Sequence, residues 1–273
     1  DSTGDWSSDV CSSDLRVESI KLLKKSVHVQ KHSLLDDETS TTELLDLLFD
    51  LPLAIKQGTA YINKNSTPIS KYLSLYKGSE DETIEVLSKD CGDRGRYRSQ
   101  QNPVAKTWLI SFEQILRQDP LAAEYLSLMG IITRENIPIS LLPPGESLLK
   151  QEDAIGTLTA YSFVTRRITE NAFDVHRLVH LATRNWLEKK NELSIWADKA
   201  LNRMVEIIPA GGHTNREMWM RYLPHGIYLA DTIKVAKENE MIVIELLDHI
   251  GCCQFSVGDR KSTRLNSSHQ YYL

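Results

Sequence analysis

Residues 162–187 read SFVTRRITENAFDVHRLVHLATRNWL, and their hydrophobic pattern changes along the stretch. Ser162–Ile168 alternates in the period of a strand, and Ala172–Val175 can pair back on it after the turn residues Thr169-Glu170-Asn171. From His176 to Lys189 the apolar residues recur every three or four positions, as in an amphipathic helix. The stretch therefore predicts a β-hairpin that is followed directly by a helix.

Helical segments are predicted before this hairpin. Asp119-Pro120 starts one of them, because aspartate caps a helix and proline fits its first turn. The predicted segments are Val104–Arg117, Asp119–Ile132, the helical turn Pro138–Leu142 and Gln151–Ala160. Helices, a two-stranded wing and a closing helix follow one another in the order of a winged-helix domain, which we predict for residues 104–190.

The rest of the chain also has helical periodicity, so the expected fold class is mainly α. We predict a helical segment over residues 16–77, a linker over 78–103 and a helical connector over 191–258, in which tetratricopeptide repeats begin near Glu245. The helices predicted in these regions are Ser19–Val29, Thr41–Phe49, Pro52–Asn65, Pro68–Tyr76, Glu82–Ser88, Leu193–Ile208, Asn215–Ala230 and Glu238–Val257.

The two ends of the chain can be encoded by the two strands of one oligonucleotide. Residues 259–269, DRKSTRLNSSH, can be written as DNA whose reverse complement encodes DWSSDVCSSD, which is residues 5–14. We identify this DNA as a sequencing-library adapter and expect residues 1–15 and 259–273 to be disordered. On this interpretation residues 16–258 are a piece of a longer protein.

Charge and motif content argue against several classes of protein. The chain has 32 Lys and Arg against 37 Asp and Glu, a net charge of −5, which gives no strong attraction to nucleic acid or anionic membranes. Its apolar runs are far shorter than the ~20 residues of a spanning helix. Cysteines without CxxC spacing are typical of free thiols in a reducing compartment, so we expect a cytoplasmic location.

Catalytic and metal-binding motifs are missing from the sequence. It contains no GxxxxGK[ST] phosphate loop, no GxSxG and no HExxH, so we expect no enzyme activity from this chain. His176 and His180 have the four-residue spacing of zinc ligands, but no third ligand has a recognisable spacing, and we predict no metal site. Several histidines at such spacings are more simply structural.

A DNA-binding role is tested by the helix before the hairpin, which enters the major groove in winged-helix DNA readers. Here this helix carries Glu152 and Asp153 and no basic residue, so it would repel phosphates. Arg166 and Arg167 on the wing are too few to reverse this effect. A basic cluster in the linker, at Arg94, Arg96 and Arg98, reads as a solvated loop. We therefore predict no nucleic-acid partner.

Particular strings connect the chain to a known family. Leu51-Pro52-Leu53-Ala54, followed by Gln57, Ala60, Tyr61 and Ile62, resembles the GLPLA…QAAAYI element of NB-ARC nucleotide-binding switch proteins, with Asp50 in place of the family glycine. Further similar strings follow in order at Thr107–Ile115, Gln118–Ala123, Ala154–Leu158, Ala160–Val164 and Phe173–Leu187. Together they resemble the fungal NB-ARC/tetratricopeptide proteins, often labelled kinesin-light-chain-like, of the STAND and NLR-like group.

The resemblance implies a helical lid domain, a winged-helix domain and a connector that follow a P-loop ATPase core. It implies that Leu51, Pro52 and Leu53 line the adenine pocket for ADP or ATP bound by that core. His176 matches the histidine of the MHD motif, which contacts the ADP phosphate, whereas Val175 and Arg177 replace its Met and Asp. The ordinary alternatives are a cap or packing role for His176 and a first-turn role for Pro52.

The favoured interpretation is a non-catalytic part of a STAND signalling switch that closes over ADP and responds to ligand binding by repeats. Its partners would be its own ATPase and tetratricopeptide domains and other proteins, and the chain alone would bind no cofactor. One alternative is a helical adaptor that binds proteins without nucleotide. The other is a winged-helix DNA-binding protein, which the acidic helix argues against.

Overall fold

The computed structural model describes residues 8–28, 31, 37–78, 103–208, 216–232 and 240–257. This part of the chain is mainly helical and carries one small antiparallel sheet. The chain divides into two compact units: unit 1 is Asp1–Asp119 with Gly156–Phe163, and unit 2 is Pro120–Ile155 with Val164–Leu273. None of the helices within these ranges is both long and apolar enough to cross a membrane.

Unit 1 is built around one central helix. Its helices are α1 (Ser8–Ser26), α2 (Glu38–Leu47), α3 (Pro52–Asn65), α4 (Ile69–Gly78) and α5 (Pro103–Gln118). Helix α3 packs against α1, α4 and α5, and α2 packs against α4.

An aromatic cluster fills the core of unit 1. Trp108 is fully buried and stacks on Phe112 with 4.6 Å between ring centroids. Tyr72 is also fully buried, and burial raises the pKa of its hydroxyl far above the ordinary value. The other rings of the cluster are Tyr61, Tyr76, Tyr161 and Phe163. Large rings of this kind contribute more buried apolar area than any other side chains, so the cluster is the main stabilising feature of unit 1.

Unit 2 combines the sheet with a helical array. Its elements are α6 (Pro120–Met129), β1 (Ile137–Pro138), a 3₁₀ turn (Ile139–Leu141), the start of α7 (Leu148–Ala160), β2 (Val164–Arg167), β3 (Ala172–Val175), α8 (Arg177–Lys189), α9 (Leu193–Ile207), α10 (Arg216–Thr232) and α11 (Glu240–Val257). Helix α9 packs against α6, α10 and α11, and α6 also packs against α8. Within residues 191–257 the described elements are the helices α9, α10 and α11, and the assignment of this region as a connector into repeats stays a prediction.

The sheet confirms the predicted hairpin and adds a strand that the sequence did not indicate. Strand β3 pairs antiparallel with β2 through Val164 and Val175, and with β1 through Ile137 and Phe173, in the order β1-β3-β2. The predicted helical turn is a 3₁₀ turn over Ile139–Leu141. A strand of two residues has no alternation to detect, which is why β1 was missed.

The predicted start of the first helix and the predicted disorder before it differ from the structure. Helix α1 begins at Ser8 rather than at Ser19, so residues 8–15, predicted to be disordered, are helical. Extension of a formed helix adds one hydrogen bond per residue, which makes the longer helix favourable once the following turns exist. The adapter origin of these residues stays a prediction. Residues 259–273 and the linker helix Glu82–Ser88 lie outside the described residues.

The compact units also divide the chain differently from the predicted domains. We predicted one winged-helix domain over residues 104–190, but α5 and residues 156–163 cluster with unit 1. The helices and strands of that prediction are present in the expected order. The winged-helix assignment itself stays a prediction.

Candidate functional site

The first group of candidate residues lies at the start of α3 in unit 1. Leu51 is the N-cap in extended conformation (φ −75°, ψ 119°), makes no side-chain capping bond, and precedes Pro52 at the first position of the helix. Pro52 is exposed, whereas Leu51 and Leu53 are half-buried. The turn therefore presents a small apolar surface, which suits a planar apolar ring better than a phosphate group.

Asp50, which stands where the resembling family has glycine, adopts a backbone conformation that favours glycine. Its φ is 54°, in the left-handed region, and that of the preceding Phe49 is 51°. Aspartate tolerates this region better than most residues, because its short side chain can bond locally. The replacement of glycine by aspartate is therefore compatible with the same turn.

The second candidate, His176, lies in unit 2 where β3 passes into α8. It is the N-cap of α8, with φ −63° and ψ 139°, and its Nδ1 accepts a hydrogen bond of 3.2 Å from the backbone N–H of Leu178. Since Nδ1 accepts, the neutral imidazole carries its proton on Nε2. His176 is exposed, and its Nε2 makes no hydrogen bond to any of the described residues. The junction thus offers one N–H donor to solvent.

Two arginines contribute positive charge near His176, although Arg134 is itself paired with the carboxylate of Glu135 at 2.5 Å. Partial burial, and after it the charge of Arg134, holds the pKa of His176 below its ordinary value. Arg177 is exposed at the first position of α8. The helix N-terminus adds further positive potential from its unpaired N–H groups. The arrangement is therefore chemically suited to an anion such as a phosphate, with the imidazole neutral near pH 7.

His180 does not join His176 in a metal site. It is buried, and its Nε2 donates to the carbonyl oxygen of Ile132 at 2.8 Å. Burial is the first cause that lowers the pKa of His180. Nowhere in the described ranges do three or more His, Cys, Asp or Glu residues form a group that could hold a metal ion.

A polar network below the junction was missed by sequence reasoning. The carbonyl of Arg134 accepts from the N–H of Val175 at 2.8 Å, and the carboxylate of Asp174 accepts from the N–H of Asn136 at 2.7 Å. His225 on α10 is 1% exposed, and its ring nitrogens lie 2.5 Å from the Thr133 hydroxyl and 3.2 Å from the Asn136 carbonyl. The loop 133–136 that supports His176 is thus anchored by a distant histidine.

The wing arginines are engaged with carboxylates. Arg166 makes two hydrogen bonds to Glu152, at 2.8 and 3.1 Å. Arg167 donates to Asp174 at 2.6 Å, and this carboxylate raises the pKa of Arg167. Charges that are already paired are less able to neutralise DNA phosphates. The observed α7 begins at Leu148 and so contains Lys150, a basic residue that the predicted helix did not include, and the absence of a nucleic-acid partner stays a prediction.

The structure places the candidate residues in two units, with Leu51, Pro52 and Leu53 in unit 1 and His176 in unit 2. Within unit 2 it brings Arg134 close enough to His176 to affect its pKa, which the sequence did not indicate. The partial signal available in the sequence was Arg177 next to His176. The described part of the chain is thus mainly helical, and the two candidate helix starts lie in different units.

Comparison with known proteins identifies a relative of this chain. A nucleotide-binding leucine-rich repeat (NLR)-like protein of Hyaloscypha variabilis is 41% identical over 244 residues, which cover 88% of this chain. The chain spans about a quarter of the length of that relative, 24%. No family model matches the chain, and no solved structure matches it significantly. This chain is therefore similar to one segment of an NLR-like protein.

Proposed function

We propose that this chain is the regulatory part of a nucleotide-dependent STAND switch, which closes over ADP held by an ATPase domain elsewhere in the protein. In this proposal, ligand binding by a repeat domain shifts the protein to an open state. The observation that carries the proposal is the geometry of His176, an exposed residue whose Nδ1 is used as the helix cap, so that the proton of the neutral imidazole is on Nε2. The NLR-like relative supports the same class.

The chemistry of this junction suits a diphosphate. A neutral Nε2–H donates one hydrogen bond to a phosphate oxygen, and Arg134 and Arg177 supply positive charge without direct coordination. The start of α3, with exposed Pro52 and half-buried Leu51 and Leu53, would cover the adenine ring. The role proposed for each of these groups is contact with nucleotide, and none of them is proposed to activate a water molecule for attack on a phosphate.

The chain alone is proposed to have no ATPase activity, because the phosphate loop and its magnesium site would belong to the preceding domain. Purified chain should bind ADP weakly or not at all at millimolar concentration, measured by calorimetry. Hydrolysis of ATP by the purified chain above a buffer control would contradict the proposal.

The decisive experiment uses the long protein, recovered by sequencing the genomic locus beyond residues 16 and 258. His176→Asp keeps a capping acceptor for the N–H of Leu178, because it introduces a carboxylate, but it replaces the Nε2–H donor with a negative charge. Loss of a hydrogen bond to a charged phosphate, about 1.5–3 kcal/mol, predicts roughly a tenfold to hundredfold loss of ADP affinity. The measurement is the amount of ADP that stays bound after gel filtration.

The matched control is His28→Asp, which makes the same change at an exposed histidine of unit 1. ADP retention should be unchanged in this variant. Equal retention in the His176→Asp variant and the natural protein would remove His176 from the nucleotide site.

A helical adaptor without nucleotide is the second candidate function. It is favoured by three exposed apolar residues of unit 2, Leu148, Leu149 and Ile168, which are 81%, 72% and 87% exposed. Exposed apolar residues of this size are common at protein-binding surfaces. If the adaptor function is correct, His176→Asp leaves ADP retention unchanged, and the double variant Leu148→Ser with Ile168→Ser weakens protein binding. The switch function predicts the larger effect for His176→Asp.

A further inference from the structure

The turn between α2 and α3 contains an unusual backbone feature. Phe49 and Asp50 are consecutive left-handed residues, with φ 51° and 54°. The other left-handed non-glycine residues in the described part of the chain stand singly and are serine or asparagine: Ser66, Asn136, Ser162, Asn171 and Asn191. Such residues cost free energy in this conformation, and the cost is larger for a bulky side chain than for asparagine. Two in succession therefore need contacts that hold them.

Backbone hydrogen bonds hold the first of the two residues. The N–H of Phe49 donates to Asp46 at 3.1 Å and the N–H of Asp50 donates to Leu45 at 3.2 Å, which is the pair of bonds that closes many helix C-termini. Helix α8 ends with the same pair of bonds around Asn191, but its next residue, Glu192, returns to φ −101°. The pair of bonds alone does not require a second left-handed residue. The N–H of Leu51 also donates to the carbonyl of Leu48 at 3.1 Å across both residues, and a side-chain contact with Asp50 adds to this backbone bond.

That contact comes from α1. The guanidinium Nη2 of Arg16 pairs with the carboxylate of Asp46 and lies 3.1 Å from Oδ2 of Asp50. The hydroxyl of Ser19, one turn later on the same helix, is 3.4 Å from the carbonyl oxygen of Asp50. The Asp50 side chain is only 13% exposed, so water weakens its pair with Arg16 less than it weakens a surface pair. One face of α1 thus holds both the side chain and the backbone of Asp50.

We propose that Arg16 is a positioning residue that fixes Asp50 in the left-handed conformation and so sets the direction in which Leu51-Pro52-Leu53 leaves the turn. Asp50 fixes the carbonyl that precedes Leu51, and Leu51 is a helix N-cap without a side-chain bond of its own. The conformation of this N-cap therefore depends on the residue before it. The pair Arg16–Asp50 does what a glycine at position 50 would do by its intrinsic freedom.

The proposal makes the two residues interdependent. With glycine at position 50 the left-handed conformation costs little, and Arg16 becomes dispensable for the turn. The experiment is a double-mutant cycle of Arg16→Gln and Asp50→Gly in this chain, read by amide hydrogen exchange at Leu51 and Ile55. These amides donate to Leu48 and Leu51 at 3.1 and 2.9 Å, so they report on the turn and the first turn of α3.

Arg16→Gln should raise exchange at these amides about tenfold with Asp50 present, and less than about threefold in the Asp50→Gly background. Amides of unit 2, such as that of Leu178, should not change. The matched control is Lys21→Gln, which breaks an exposed pair with Glu18 on the same helix (2.7 Å) and should leave Leu51 unaffected. An equal effect of Arg16→Gln in both backgrounds overturns the proposal, as does an equal effect of Lys21→Gln.

If Arg16→Gln prevents folding, the readout becomes folding itself. Recovery of a folded unit 1 in the double variant is the expected result, and failure to recover overturns the proposal. Arg16→Lys, which keeps the charge but not the fork of donors, should give an intermediate rate of exchange.

Only the consequence for nucleotide rests on the proposed function. In the long protein, Arg16→Gln should reduce ADP retention and Asp50→Gly should restore it. Coupling in the exchange experiment with unchanged ADP retention would leave the positioning role intact and remove Leu51-Pro52-Leu53 from the nucleotide site.

Discussion

The two candidate helix starts, of α3 in unit 1 and of α8 in unit 2, solve the same capping problem in different ways. At α8, His176 itself accepts the hydrogen bond from the helix, through Nδ1 to Leu178. At α3, Leu51 makes no such bond, and Pro52 simply removes one donor that would need a partner. If the proposed function is correct, stability and ligand contact are coupled at α8, because the His176 imidazole has both roles, and they are separable at α3.

The supports of the two starts also differ. The α3 start is held from α1 by the ion pair between Arg16 and Asp50 and by the hydroxyl of the buried Ser19. The α8 start follows β3, which is bonded to the loop 133–136, and that loop is held by the buried His225. A buried neutral histidine is sensitive to acid, so pH should separate the two starts.

The largest expected effect is the acid sensitivity of unit 2. Burial lowers the pKa of His225 to about 4, from the 6.5 of a histidine in an unfolded chain. Above pH 6.5 both states are neutral and the contribution is constant; as the pH falls toward 4, only the unfolded state takes up the proton. The free energy of unfolding should therefore fall by about 3 kcal/mol over this window. The free energy of unfolding is measured by urea unfolding at several pH values. The signal is tryptophan fluorescence, to which Trp186 and Trp196 of unit 2 contribute.

The control for this prediction is His225→Gln, which keeps a donor and an acceptor but cannot titrate. Any difference in its stability at pH 7 is a constant offset from the natural chain, and the fall in the free energy of unfolding between pH 6.5 and 4 should become shallower. Part of the fall should remain, because burial also lowers the pKa of His180. An identical pH profile in the variant would show that His225 does not titrate as its burial implies. Amides at the start of α3 should keep their protection over the same window.

A medium effect is expected from His176→Ala. Removal of an N-cap acceptor costs about 1 kcal/mol of stability, so the variant should unfold more easily while His176→Asp should not. The measurement is urea unfolding at pH 7, with amide exchange at Leu178 as the local readout. Equal stability of the alanine variant and the natural chain would mean that the 3.2 Å bond from Leu178 contributes nothing, and the two starts would then be alike.

The sequence was sufficient where a local pattern determines the structure. Pro52 marks the first residue of α3, and the predicted range Pro52–Asn65 is the observed one. The change of period after Ser162 predicted β2 and β3, with Ala172–Val175 correct at both ends. In both cases the deciding residues lie next to one another, so a single sequence contains the signal.

Features that depend on distant contacts could not be predicted. Phe49 carries no local preference for the left-handed region, and Arg16 reaches Asp50 only because α1 packs against α3. His225 meets Thr133 across 92 positions of the sequence. The N-cap role of His176 was one of two alternatives that the sequence left open, and the structure adds that its second nitrogen faces solvent. A cap and a ligand contact can therefore be the same residue.

The smallest expected effect, and the sharpest test of the comparison, is Pro52→Ala. An exposed proline at the first position of a helix stabilises mainly by restricting the unfolded chain, so the change should cost about 0.5 kcal/mol. Pro120→Ala is the matched control, since Pro120 is also exposed and begins α6 in unit 2. Urea unfolding should give similar small losses for both variants. In the long protein only Pro52→Ala should reduce ADP retention. If neither variant reduces it, Pro52 serves only to start the helix. In that case the ligand contact proposed for His176 has no matching apolar contact in unit 1.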